Sequence, residues 1–161
     1  MRVYLPATAD DLAHPSLAPR WAHTVTQALR VALPDEDVEG LAESAMLAAA
    51  DESVERIRTD GASVMRRVVV AADVDDTEIA DTEIDDAGAA GDEERLPSAV
   101  LVRTAVPWSQ VVSIHVDEGA AEADVRAAVA GDDDALERAA ERDLLWYDVV
   151  ELAQLRGELA E

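Results

Sequence analysis

Val111-Val112-Ser113-Ile114-His115-Val116-Asp117 is the most regular stretch of this 161-residue chain. In an extended backbone successive side chains point to opposite faces. Val112, Ile114 and Val116 therefore share one side, and Val111, Ser113, His115 and Asp117 share the other. β-Branched residues at alternate positions mark a half-buried strand. The stretch is read as an inner strand of a single sheet around which the remaining segments pack.

Working outward, residues 98–106 form a preceding strand, and Pro107-Trp108-Ser109-Gln110 turns the chain. A helix then presents Ala121, Val125, Ala128 and Val129 on one face and closes at Gly131. A shorter helix capped from the Asp132-Asp133-Asp134 run follows it. Leu144-Leu145-Trp146-Tyr147 is the last strand. Asp148 and Glu151, three apart, open an amphipathic terminal helix. On the N-terminal side, Val68-Val69-Val70-Ala71-Ala72 is apolar on both faces and reads as a strand covered on both sides. Before it comes the longest helix, which starts from an Asp35 cap and stops at Gly61. A helix capped near Thr24 or Thr26 and ended by Pro34 precedes that one. Thr8 and Asp11 have capping-box spacing for a short helix. Residues 2–5 form the first strand, with Pro6 ending it or sitting at its edge.

The order of elements is strand, helices, two or three strands, helices, strand. It predicts an α+β domain spanning residues 1–161, ferredoxin-like (split βαβ), with a mainly antiparallel sheet and helices packed on one face. A doubly wound parallel sheet is the alternative, and it would require more regular alternation of strand and helix. Residues 73–94 read DVDDTEIADTEIDDAGAAGDEE, eleven acids without a base. Such a segment cannot bury enough apolar surface to offset the entropy of ordering it. Residues 74–97 are therefore expected to form a flexible acidic loop inserted into the domain.

The formal net charge is −23, all thirteen basic residues are arginine, and lysine, asparagine, phenylalanine and cysteine are absent. A field of that sign repels phosphate backbones and anionic membranes, which argues against nucleic-acid or membrane partners. No apolar run approaches the ~20 residues that cross a bilayer. The short, singly charged apolar N-terminus is unlike a signal peptide. With no cysteine there is no disulfide or thiol chemistry, and the expected location is cytoplasmic. Three readings of the acidity stay open: codon usage in a GC-rich genome, adaptation to high salt, and an acidic surface for a basic partner.

No phosphate-binding glycine loop, nucleophile elbow or EF-hand spacing is present. His115 and Asp117 are the catalytic candidates: a general base beside an acid, or two ligands of a metal. The competing reading is structural, a strand histidine next to an acid that caps the following helix. His14 and His23 are not placed near them by spacing. No cofactor and no metal is expected. Trp146 and Tyr147 point to opposite faces of their strand, so one belongs to the core and the other is free for an interface. Together with Trp108 they are the candidate interface residues.

Five stretches carry a resemblance: residues 1–8 (MRVYLPAT), 25–30 (VTQALR), 67–73 (RVVVAAD), 113–117 (SIHVD) and 144–148 (LLWYD). The chain resembles a family of small uncharacterised proteins common in actinobacteria. The match skips the acidic tract, which looks like an expanded loop here. The resemblance implies a single cytosolic domain from a high-GC host and brings no activity. The expectation is a non-enzymatic module that binds a protein partner or forms a homodimer. The alternative is a small hydrolase or metal-dependent enzyme using His115 and Asp117.

Overall fold

A computed structural model describes residues 1–79 and 95–160. Its centre is a six-stranded sheet of β1 (Arg2–Ala7), β3 (Arg20–His23), β4 (Val68–Asp73), β5 (Ala99–Val102), β7 (Val111–Val116) and β8 (Leu145–Asp148). The spatial order is β5-β3-β1-β4-β7-β8 and every pairing is antiparallel. β2 (Ser16–Leu17) and β6 (Val106–Pro107) form a separate two-stranded ribbon. Among the described residues there are five α-helices: α1 (Gln27–Ala32), α2 (Val38–Asp60), α3 (Glu122–Val129), α4 (Asp133–Ala140) and α5 (Leu152–Leu159).

The α+β plan is observed, and the doubly wound alternative fails because among the described residues no neighbouring strands of the sheet run parallel. β3 and β4 are each antiparallel to β1 and lie on either side of it, so they are parallel to one another. The connection through α1 and α2 is therefore a split βαβ unit built around β1. The second helical connection, α3 and α4, leads from β7 to its own neighbour β8, which runs antiparallel to it. A ferredoxin-like order thus does not extend across the sheet.

Helices cover both faces, not one, and alternation in the strands shows why. Val3, Leu5 and Ala7 of β1, with Val68, Val70 and Ala72 of β4, join Leu155 and Leu159 of α5 in the main core. The opposite face carries Tyr4 and Val69, packed under Met46, Ala49 and Ala50 of α2. α2 has the alanines that allow close approach to the sheet. At its C-terminal end Val54 and Ile57 receive α3 and α4 through Val125, Ala128, Ala135 and Ala139. Asp37, rather than Asp35, caps α2, accepting from the Gly40 N–H. Gly61 ends the helix in the left-handed region, φ 67°.

Three local departures have physical causes. β1 continues through Pro6 to Ala7 although it is central. Its pairing with β3 is at Tyr4↔His23, and past that point the Pro6 carbonyl accepts from Arg20 Nη1 at 2.9 Å. The ladder between β4 and β7 shifts register between Ala71 and Ala72. Val111, not Val112, consequently joins the main core with Ile114 and Val116. The acidic insertion is anchored where it begins. Val74 is buried and its N–H donates to the Met1 carbonyl, a one-turn helix spans Asp76–Glu78, and Ile79 bridges to Val102. Residues 80–94 of the expected loop lie outside the described residues.

Candidate functional site

β7 and β8 pair in the register His115↔Trp146 and Ile114↔Tyr147. Directly opposed residues share a face, so His115 and Trp146 stand on the α2 side while Ile114 and Tyr147 face the main core. An open groove of about 280 Å³ lies between α2 and this corner of the sheet. Ala42, Glu43 and Met46 of α2 form one wall, and Tyr4, Ser113, His115 and Trp146 form the floor and far wall. Arg2 closes one end and is held by Asp73 through Nε at 2.6 Å and Nη2 at 3.2 Å.

His115 is half-buried, and its Nε2 lies 3.0 Å from Ser113 Oγ. Burial pushes its pKa below the ordinary value of 6.5, so the ring is neutral at pH 7. Trp146 is 60% exposed although it lies in a sheet. β8 is the edge of that sheet and bears Leu145, 44% exposed, with Val150, 84% exposed, just beyond it. Glu43 is exposed and makes no ion pair among the described residues.

Asp117, expected beside His115, is engaged elsewhere. Its carboxylate accepts from Arg67 Nε and Nη2, both at 2.8 Å, and from the Arg67 backbone N–H at 2.8 Å. The Asp117 N–H in turn donates to the Arg67 carbonyl at 3.1 Å. Both side chains are almost completely buried. β7 ends at Val116, so the alternation that put Asp117 on the His115 face stops one residue short of it. A carboxylate accepting from three donors of one arginine is a structural tie, and among the described residues no acid hydrogen-bonds His115. The dyad on which the hydrolase or metal reading relied is not assembled. Among the described residues no cluster of three or more metal-ligating side chains is formed.

Spacing gave no hint of a second polar cluster. His23 is fully buried, with Nδ1 2.7 Å from Ser98 Oγ and Nε2 2.9 Å from Glu52 Oε1. The order Ser–His–Glu serves nucleophilic catalysis when the hydroxyl reaches a substrate. Ser98 is buried here, and the three side chains clasp β3, the entry to β5, and α2 together. Trp108 is also structural. It packs half-buried against the main core and donates from Nε1 to the His14 carbonyl at 2.7 Å, on the side of the sheet away from the groove. Tyr147 is half-buried against the same core.

A family model described as a family of unknown function, DUF6912, matches residues 1–155. The chain belongs to that family. The match spans nearly the whole chain, including the strands and α2 that form the groove, so the groove is built from residues of the DUF6912 domain itself. No curated protein and no solved structure matches the chain. Among the described residues no helix is long and apolar enough to cross a membrane.

Proposed function

We propose that this DUF6912 domain is a non-enzymatic binding module that adds an extended, basic segment of a protein partner to the free edge of β8. The observation that carries it is Trp146, 60% exposed on an edge strand and standing over the groove. An unpaired edge offers main-chain donors and acceptors to an incoming strand. Pockets for alternate side chains then set specificity. A guanidinium or ammonium on the added strand stacks on the Trp146 ring while reaching toward Glu43. The net charge of −23 draws a basic segment in and disfavours a second copy of the chain. We place the protein in the cytoplasm, as its cysteine-free sequence suggests, without nucleic-acid or membrane partners.

The test uses three peptides of equal length titrated calorimetrically: alternating Arg-Val, alternating Glu-Val, and alternating Arg-Gly. Arg-Val binds, Glu-Val does not, and Arg-Gly, which has the charge but not the strand propensity, binds more weakly. Trp146→Ala weakens the Arg-Val complex at least about tenfold, a loss of about 1.4 kcal/mol. Equal binding of both arginine peptides, or no effect of Trp146→Ala, shows that charge alone is being read. Light scattering that gives a dimer, abolished by Trp146→Ala, assigns the edge to a second copy and overturns the proposal.

A further inference from the structure

A second cavity, of about 430 Å³, lies between α3, α5, the Ala9–Ala13 helical turn and the segment entering β4. Three of the chain's thirteen basic residues line it: Arg66, Arg126 and Arg156. In a chain with 36 acids, arginines are expected to be held by carboxylates. Arg2, Arg20, Arg67, Arg138 and Arg142 are. Arg126, in the last turn of α3, makes no ion pair among the described residues. Arg156 spends its N–H groups on the carbonyls of Leu12 and His14, which orient the guanidinium without neutralising it. Arg66 is fixed by Glu122 Oε1 at 2.7 Å. It lies so close to Gly119 that a Cβ there would come within 3.3 Å of Nη2.

We infer that this cavity is a binding site for a small organic oxyanion, a carboxylate or phosphate group on a short apolar stem. The head group meets Arg126 and Arg156, whose charges are not cancelled by bound carboxylates. Guanidinium N–H pairs match the spacing of oxyanion oxygens. The stem lies on Val64, Met65 and Leu159, which give the wall its apolar part. Asp10 and Glu158 also reach the cavity, but both are exposed, and Glu158 accepts from Gln154 at 3.1 Å. The overall negative field does not exclude an anion. At physiological ionic strength charges beyond ~8 Å are screened, whereas contact pairs are not. The site is independent of the β8 groove and shares no lining residue with it.

The experiment titrates the full chain with inorganic phosphate, phenyl phosphate and benzoate at constant ionic strength. Phenyl phosphate or benzoate is expected to bind more tightly than phosphate, and whichever is preferred identifies the head group. Arg126→Glu weakens that binding about tenfold or more, and Arg126→Lys weakens it less, because one fork of donors is replaced by a point charge. Arg126 is exposed, so neither variant threatens folding. Arg30→Glu, which makes the same change of charge on α1, leaves binding unchanged. Absence of binding by all three probes overturns the inference. So does equal weakening by Arg126→Glu and Arg30→Glu, which would reduce the effect to net charge.

Discussion

Two polar residues of the same sequence stretch, His115 and Asp117, have opposite surroundings. Asp117 is out of water, fully hydrogen-bonded and clamped to Arg67. His115 opens on a groove, bonded to a serine and covered by an exposed tryptophan from the neighbouring strand. Residue type and spacing are the same in both readings of the pair; what differs is where the strand ends. A buried charge tolerates no missing partner, so its neighbours are devoted to it and nothing is left for chemistry. At the sheet edge few groups are committed, and that is why the proposed partner strand is placed there.

The sharpest way to break this contrast is to cut the buried tie. Asp117→Asn leaves the Arg67 guanidinium buried opposite a neutral amide and is expected to lower stability by about 3–5 kcal/mol, read from urea midpoints. Arg67→Met with Asp117→Leu is expected to recover part of that loss, since no lone charge remains. Recovery stays incomplete because the Arg67 backbone N–H still loses its acceptor. A single variant as stable as the parent would mean that Asp117 was not committed and could have served His115.

A smaller effect comes from His115 itself. Burial lowers its folded pKa below 6.5. Above that value the ring is neutral in both states and its contribution to stability is constant. As pH falls below 6.5 the unfolded chain takes up the proton first, so stability declines until the folded pKa is passed. His115→Gln is expected to flatten the fall in unfolding midpoint between pH 7 and pH 5. An unchanged slope would show that the ring is as solvated when folded as when unfolded.

Much of the fold could be read from local pattern. The strand at residues 111–116 with its alternation from Ser113 onward, the two-sided apolar run of β4, the Asp148–Glu151 capping box and the Gly61 stop are formed as expected, while the register shift puts Val111 in the core in place of Val112. What escaped depends on contacts distant in sequence. β3 is only four residues long, and Arg20 and His23 are buried in it through partners at Asp11, Pro6, Ser98 and Glu52, so no apolar period marks it. Helices on both faces follow from Leu155 and Leu159 meeting β1 and β4, which the amphipathicity of α5 alone does not reveal. The surroundings of the weak catalytic candidates His115 and Asp117 escaped for the same reason. Spacing put Asp117 beside His115, but Arg67, fifty residues away, holds it.

The smallest stability change is expected at Trp146, and its smallness is the point. An interior tryptophan replaced by a small residue costs about 3–5 kcal/mol. Trp146 keeps most of its surface in water, and its chief contact within the fold is the cross-strand neighbour His115. Such a pair contributes roughly 0.2–1 kcal/mol. Trp146→Ser should therefore lower stability by no more than that, read from the urea midpoint, while weakening Arg-Val peptide binding at least about tenfold. A loss comparable to that of Asp117→Asn would place the indole in the core and erase the distinction between the two ends of β7. A negligible loss with binding weakened would show that a large aromatic is kept at this edge for something outside the fold.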